Sequence, residues 1–184
     1  MRRFLLTMIA AMMIVPASAT EAGWALLRDG GHVVLLRHAM TTGASDPANF
    51  DIEKCATQSN LSERGKQQAR KIGALFAARA ADIDRILSSR YCRALDTARL
   101  AFRAPPAEPF EALDLTAPGS PEAEARAAAV LQEIAGYTGS GNLVLVTHLE
   151  NIQALTGAGA REGEAVIVRA EGDHLRVLGR IIFN

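Results

Sequence analysis

Two short apolar runs, His32-Val33-Val34-Leu35-Leu36 and Leu143-Val144-Leu145-Val146, constrain this chain more than any other feature. Neither alternates apolar with polar residues, so each reads as a strand covered on both faces, the pattern of a central parallel sheet. The sequence between and after them has a different period. Ser62 is expected to cap a helix in which Ala69, Ile72, Leu75, Phe76 and Arg79 follow helical spacing, with Arg64, Lys66, Gln67 and Arg70 left for solvent. Asp82 to Ser88 reads as a short strand through Ile83, Ile86 and Leu87. Tyr91 to Phe102 returns to a helical period through Ala94, Leu95 and Ala98, and Pro105-Pro106 ends it. Ser120-Pro121 with Glu122 and Glu124 supplies a cap, a first-turn proline and first-turn acids for an alanine-rich helix running to about Ala135. A short helix is expected after His148, to Thr156. Residues 165–170 and 175–183, joined around Glu171-Gly172-Asp173, read as a closing hairpin. The expected fold is a three-layer α/β domain: a mostly parallel central sheet flanked by helices, with an antiparallel edge hairpin at the C-terminus.

The first residues follow another logic. Met1-Arg2-Arg3 precedes an apolar stretch from Phe4 to Val15 broken only by Thr7, and Ala17-Ser18-Ala19 follows Pro16. That is the pattern of a secretory signal peptide cleaved after Ala19, the apolar run being too short to span a bilayer comfortably; an uncleaved N-terminal anchor is the alternative. Residues 20–184 then form a single domain, and an apolar content of 49% suffices for its core. Without Arg2 and Arg3 the chain has 18 basic and 20 acidic residues, a formal net charge of −2. Nothing in that balance points to nucleic acid or a membrane surface as partner, and no obligate protein partner is evident.

Export implies an oxidising compartment, in which Cys55 and Cys92, the two cysteines, are expected to form a disulfide; two independent buried thiols are the alternative. The bridge would close a loop worth about 4 kcal/mol against the unfolded chain on the entropic model.

Chemistry enters at the strand ends, because ligands of open α/β sheets bind beyond the carboxyl ends of the strands. Three such ends deliver Arg37-His38, the Ser88 to Arg93 segment and Thr147-His148. Either histidine alone is more often structural than catalytic. Residues 39–60 are rich in Thr, Gly, Asp, Pro and Asn and read as a long functional loop between the first strand and the first helix.

Four segments in order are similar to one family. They are Leu35-Leu36-Arg37-His38-Ala39, Leu61-Ser62-Glu63-Arg64-Gly65, Ser88-Ser89-Arg90-Tyr91-Cys92-Arg93-Ala94-Leu95-Asp96-Thr97-Ala98, and Leu145-Val146-Thr147-His148. The chain resembles the histidine phosphatase superfamily, with its phosphoglycerate mutase-like fold, as a small exported bacterial-type member. The resemblance implies a metal-free phosphomonoesterase without cofactors, in which an imidazole nitrogen of His38 attacks phosphorus and the phosphohistidine is then hydrolysed. Arg37, Arg93 and His148 match the residues that stabilise phosphoryl charge, His148 as a donor protonated when the anion is bound. No cluster of metal-ligand spacing appears in the sequence.

The chain also departs from the family. Ala39 and Leu149 stand where glycine is common, and Leu149 is expected to narrow the pocket. The acid that protonates the leaving alkoxide is open: Glu150 comes first, then Asp114 and Glu111, each with an ordinary surface role as alternative. Arg90 is a substrate contact or a solvated arginine. Thr41, with Thr42, contacts phosphate or caps a local turn. His32 and His174 are expected to be structural. A Cys55–Cys92 bridge would pin the long loop against the arginine segment.

The expected substrate is a small phosphorylated molecule or a phosphorylated envelope component outside the cytoplasm, the protein itself being expected in the periplasm or secreted. A mutase, needing an intracellular phosphodonor, and a phosphatase of cytoplasmic phosphohistidine proteins both conflict with export. A catalytically weak relative that binds a phosphorylated sugar or envelope glycan is the competing class.

Overall fold

The computed structural model describes residues 17–172 and 174–183. The expected signal peptide therefore lies outside the described residues except for positions 17–19, as does Asp173 of the hairpin turn. The strands are β1 (Val33–Arg37), β2 (Ile83–Ser88), β3 (Ala107–Pro109), β4 (Asn142–Thr147), β5 (Ala165–Glu171) and β6 (His174–Ile181). The helices are α1 (Ala17–Asp29), α2 (Glu63–Ala78), α3 (Cys92–Ala101), α4 (Pro121–Gly136) and α5 (Leu149–Thr156).

One sheet runs in the order β3-β2-β4-β1-β5-β6. The first four of these are mutually parallel, β5 is antiparallel to β1, and β6 is antiparallel to β5. The two apolar runs are thus neighbours, Val33 opposite Leu143 through Arg37 opposite Thr147. Both faces of the sheet are covered, which is why those runs carry no polar alternation. On one face Val34, Leu36, Val144 and Val146 meet Trp24 and Leu27 of α1, Ile72 and Phe76 of α2, and Ala94 and Ala98 of α3. On the other, Val33, Leu35, Leu143 and Leu145 meet Val130 and Ile134 of α4 and Ile152 and Leu155 of α5. Adjacent residues of a strand point to opposite faces, so each run feeds both cores at once. Phe76 organises the first, in edge contact with Trp24 and Phe102 at centroid distances of 5.3 Å each.

The helix starts are those expected. Ser62 Oγ accepts from Gly65 N at 3.0 Å, and Ser120 Oγ accepts from Ala123 N at 3.1 Å. Three features differ from the sequence reading. Residues 17–29 form α1, which lies against α2 through Trp24 and is tied there by an Arg79–Glu21 pair. The tripeptide β3 adds an edge strand to β2, a position where Pro109, having no N–H, is tolerated. His32 stands outside β1, its Nδ1 2.7 Å from the Gly30 carbonyl oxygen. The C-terminal hairpin forms as expected, but it is β5 that joins the sheet, beside β1, and β6 that forms the edge. No helix among the described residues is long and apolar enough to cross a membrane.

Candidate active site

The parallel strands β1, β2 and β4 end on the same edge of the sheet, and their ends carry Arg37-His38, Ser88-Ser89 and Thr147-His148. His38 N donates to the Thr147 carbonyl at 3.0 Å, so the turn that presents His38 is a continuation of the β1–β4 ladder. Its imidazole is 6% exposed and its ring centroid lies 5.3 Å from that of His148. His38 Nδ1 is 2.9 Å from the Ala39 carbonyl oxygen, which can only accept; Nδ1 therefore carries the proton, and Nε2 holds the free lone pair. Burial, opposed by that hydrogen bond and aided by the charges of Arg93 and Arg37, pushes His38 down to about 4. The imidazole is neutral at neutral pH, the state a nucleophile needs.

Ala39 is buried and lies in ordinary backbone space, its N–H donating to Thr97 Oγ1 at 2.9 Å while that hydroxyl donates to the Arg93 carbonyl at 2.7 Å. One threonine thus ties the His38 turn to the helix that carries Arg93. A glycine is not required at position 39 because no positive φ occurs there.

His148 is 1% exposed, and its Nε2 lies 2.9 Å from Ser89 Oγ. The single hydroxyl proton of Ser89 goes to Asp114 Oδ1 at 2.9 Å, so His148 Nε2–H is the donor in this chain. His148 Nδ1, buried and without a hydrogen-bond partner, is the nitrogen left for a ligand. Burial, then the charges of His38, Arg93 and Arg37, push the imidazole well below its ordinary value. In the unliganded protein it is neutral, and an anion must bring a proton with it before Nδ1 can donate.

The guanidinium of Arg37 is half-buried, with Nη1 donating to the Ala160 carbonyl at 2.8 Å and Nε buried without a partner. Arg93, 6% exposed, is held by Asp46 of the 39–60 loop, Nη1 to Oδ1 at 2.8 Å and Nη2 to Oδ2 at 3.2 Å. The same loop is fastened to the start of α3 by the Cys55–Cys92 disulfide, whose Cα atoms are 5.6 Å apart, and by Cys92 N donating to Gln58 Oε1 at 2.9 Å. The two cysteines are therefore bridged, as expected from the sequence.

An open cavity of about 470 Å³ is lined by Arg37, His38, Thr41, Thr42, Glu150 and Glu162. Glu150, the first choice for the acid, stands on this cavity, exposed in the first turn of α5. Asp114 does not: it is 3% exposed behind Ser89 and takes hydrogen bonds from Ser89 Oγ, Arg90 N and Arg90 Nε. With its oxygens taken up by three donors, Asp114 is placed to orient the Ser89–His148 pair. Glu111 is exposed and pairs with Arg90 and Arg126. Arg90 itself is spent on Asp114, Nε to Oδ2 at 2.6 Å, and does not line the cavity. Leu149 lies away from the cavity as well, on a groove with Gln153, Arg180 and Ile182, and so does not narrow it.

Thr41 lines the cavity and is already engaged: its hydroxyl is 3.0 Å from both the Gly43 carbonyl oxygen and Glu162 Oε1, which also accepts from Thr41 N at 3.2 Å. Thr42 N and Oγ1 both donate to the Asn60 carbonyl, 18 residues along the chain, and so tie the two ends of the long loop together. Glu162 was not singled out from the sequence. It precedes β5, and because β5 runs antiparallel beside β1, its leading loop reaches the edge where the parallel strands end. Gly163 N indeed donates to the His38 carbonyl at 2.9 Å. Only the strand order could have revealed this.

Residues 33–116 match the family model of the histidine phosphatase superfamily, branch 1. No curated protein matches the chain by sequence. Solved structures do match in fold. The provisionally named phosphohistidine phosphatase SixA of Agrobacterium tumefaciens is 22% identical, with a TM-score of 0.59, and the match covers 82% of this chain and 97% of that one. A mycobacterial glucosyl-3-phosphoglycerate phosphatase in complex with VO3 is 20% identical, with a TM-score of 0.61, over 80% and 97%. A phosphoserine phosphatase mutant of Entamoeba histolytica, in complex with phosphoserine, is 14% identical, with a TM-score of 0.57, over 81% and 95%. Residues 33–116 thus carry the sequence pattern of the histidine phosphatase superfamily, and the described domain has its fold.

Proposed function

We propose that this protein is a metal-independent phosphomonoesterase acting through a phosphohistidine on His38. The observation that carries the reading is the tautomer of His38: its Nδ1 proton is committed to the Ala39 carbonyl, and its Nε2 lone pair stays neutral and free among cationic partners. Nε2 would attack phosphorus as the phosphorus–oxygen bond to the leaving group breaks. Arg37, Arg93 and His148 would hold the three equatorial oxygens, where positioned charge does most of the work. The departing alkoxide takes a proton from an acid on the cavity; Glu150 remains the first candidate, and Glu162 joins it. Water then attacks the phosphohistidine, the P–N bond breaks, and inorganic phosphate leaves with His38 neutral again. The phosphatase names of the fold neighbours and the family pattern over residues 33–116 support this reading.

The leader-like N-terminus supports action outside the cytoplasm, on a small phosphorylated molecule or a phosphorylated envelope component. One assay tests the whole: turnover of an aryl phosphate in excess chelator by the protein and by its His38→Ala variant. Chelator-resistant turnover lost in the variant is expected; turnover abolished by chelator, or retained without His38, overturns the reading. An aryl leaving group needs little protonation, so Glu150→Gln and Glu162→Gln should be compared on aryl and alkyl phosphates. The variant that loses alkyl but keeps aryl turnover marks the acid. Fractionation of cells for the protein with and without residues 1–19 tests export.

A further inference from the structure

Arg93 is one of the two arginines on which the proposed reaction leans, and the long loop puts a carboxylate directly on it. Asp46 takes both terminal nitrogens of that guanidinium, and its Oδ1 also accepts from Ser59 N at 2.8 Å. The side chains of Arg93 and Asp46 are only 7% and 17% exposed, so the contact is not a solvated surface pair. On the flat face of the guanidinium lies Tyr91, its ring centroid 4.6 Å from Arg93 Cζ. A planar cation fixed at its terminal edge by two bonds and on one face by a ring has one edge left, formed by Nε–H and the outer Nη2–H. Among the described residues Arg93 Nε makes no hydrogen bond, and that edge suits two phosphoryl oxygens.

A carboxylate that merely competed with an anion would have to swing away when one arrived. Asp46 is poorly placed to swing. Its loop is tied to the first turn of α3 by the disulfide and by Gln58, one residue from Arg93 itself. The loop and the arginine therefore keep their separation.

We propose that Asp46 is a positioning residue: it grips Arg93 by the terminal edge and so presents the Nε edge to the transferring phosphoryl group. The proposal rests on the phosphatase reading above. Its consequence is that Asp46 acts on the transition state more than on the ground state, since a loosened guanidinium can still attract a phosphate but no longer meets the in-line geometry.

The test uses the whole protein with Asp46→Asn and Asp46→Glu, beside Arg93→Ala as benchmark, on an aryl phosphate. Inhibition by orthovanadate, which adopts the five-coordinate geometry of the transition state, is compared with inhibition by inorganic phosphate. We expect Asp46→Asn to lower kcat by about 10- to 100-fold with KM within about threefold, approaching the Arg93→Ala protein. Vanadate inhibition should weaken about tenfold or more and phosphate inhibition by less than about threefold, while Asp46→Glu, which can restore a two-point contact, recovers most of kcat. Unchanged kcat with a lowered Tm would make Asp46 a structural residue only and overturn the proposal. Tighter phosphate inhibition with raised kcat/KM would make it a competitor and overturn it as well. A wild-type protein without turnover would sink the phosphatase reading instead. Calorimetric vanadate binding to wild type and Asp46→Asn would then decide the positioning role separately, equal affinities counting against it.

Discussion

Burial acts on the two facing imidazoles in one direction, and the neighbouring arginines add to it. For His38 the consequence is a window. An unfolded histidine takes up its proton near 6.5, the native one only near 4. Above pH 6.5 both forms are neutral and stability is full; as pH falls from 6.5 to 4 the unfolded chain binds the proton first, and about 3 kcal/mol is lost. Denaturant midpoints measured across that range should fall with pH, and a His38→Gln protein should show a shallower fall. The acid limb of kcat/KM, once corrected for substrate ionisation, should likewise lie near pH 4; a limb near 6.5 would contradict a buried, neutral nucleophile. Ser89 offers a second handle. Its hydroxyl alone connects His148 to Asp114, so Ser89→Ala leaves a buried imidazole N–H unpaired and a carboxylate short of one donor. Turnover should fall about tenfold with little change in KM, as for loss of a hydrogen bond that orients a reacting group.

Among the elements, α2 shows how closely a helix can be placed behind a nucleophile. A Cβ on Gly65 would collide with the Met40 carbonyl, two residues beyond His38. That same carbonyl accepts from Ser62 N at 3.0 Å, so the first turn of α2 and the turn after His38 are locked backbone to backbone. Gly65→Ala is expected to cost about 1–3 kcal/mol, a Tm drop of roughly 3–10 °C, and to lower kcat through the shifted His38 turn. By contrast Ser120→Ala, which removes only the α4 cap, should cost about 1 kcal/mol and leave kcat unchanged. Thermal melts beside steady-state rates separate the two. The capped helices were legible because Ser62 and Ser120 announce their starts chemically. The helix α1 and the strand β3 were not: the large side chains that α1 buries among its described residues are Trp24 and Leu27, and it directly follows a leader-like run, while β3 is three residues with a proline.

At the scale of the molecule, the Cys55–Cys92 bridge joins the long loop to the arginine helix across a sequence separation of 37. Reducing it, or replacing both cysteines by serine, should cost about 4 kcal/mol on the chain-entropy model and also lower kcat, because Asp46 and Gln58 depend on the same loop. A lowered melting point with unchanged kcat would confine the bridge to stability. The sequence by itself determined the sheet strands that matter and the order in which Arg37, His38, Arg93 and His148 arrive. Continuous apolar runs and motif spacing are local properties that need no partner to be read. What only the tertiary structure decided is which carboxylate meets which cation. Asp46 on Arg93, Asp114 behind Ser89 and Glu162 beside Thr41 are contacts across 47, 25 and 121 residues of chain. Such pairings follow from strand order and loop closure, and an isolated acidic residue in a sequence carries no mark of the arginine or hydroxyl it will face.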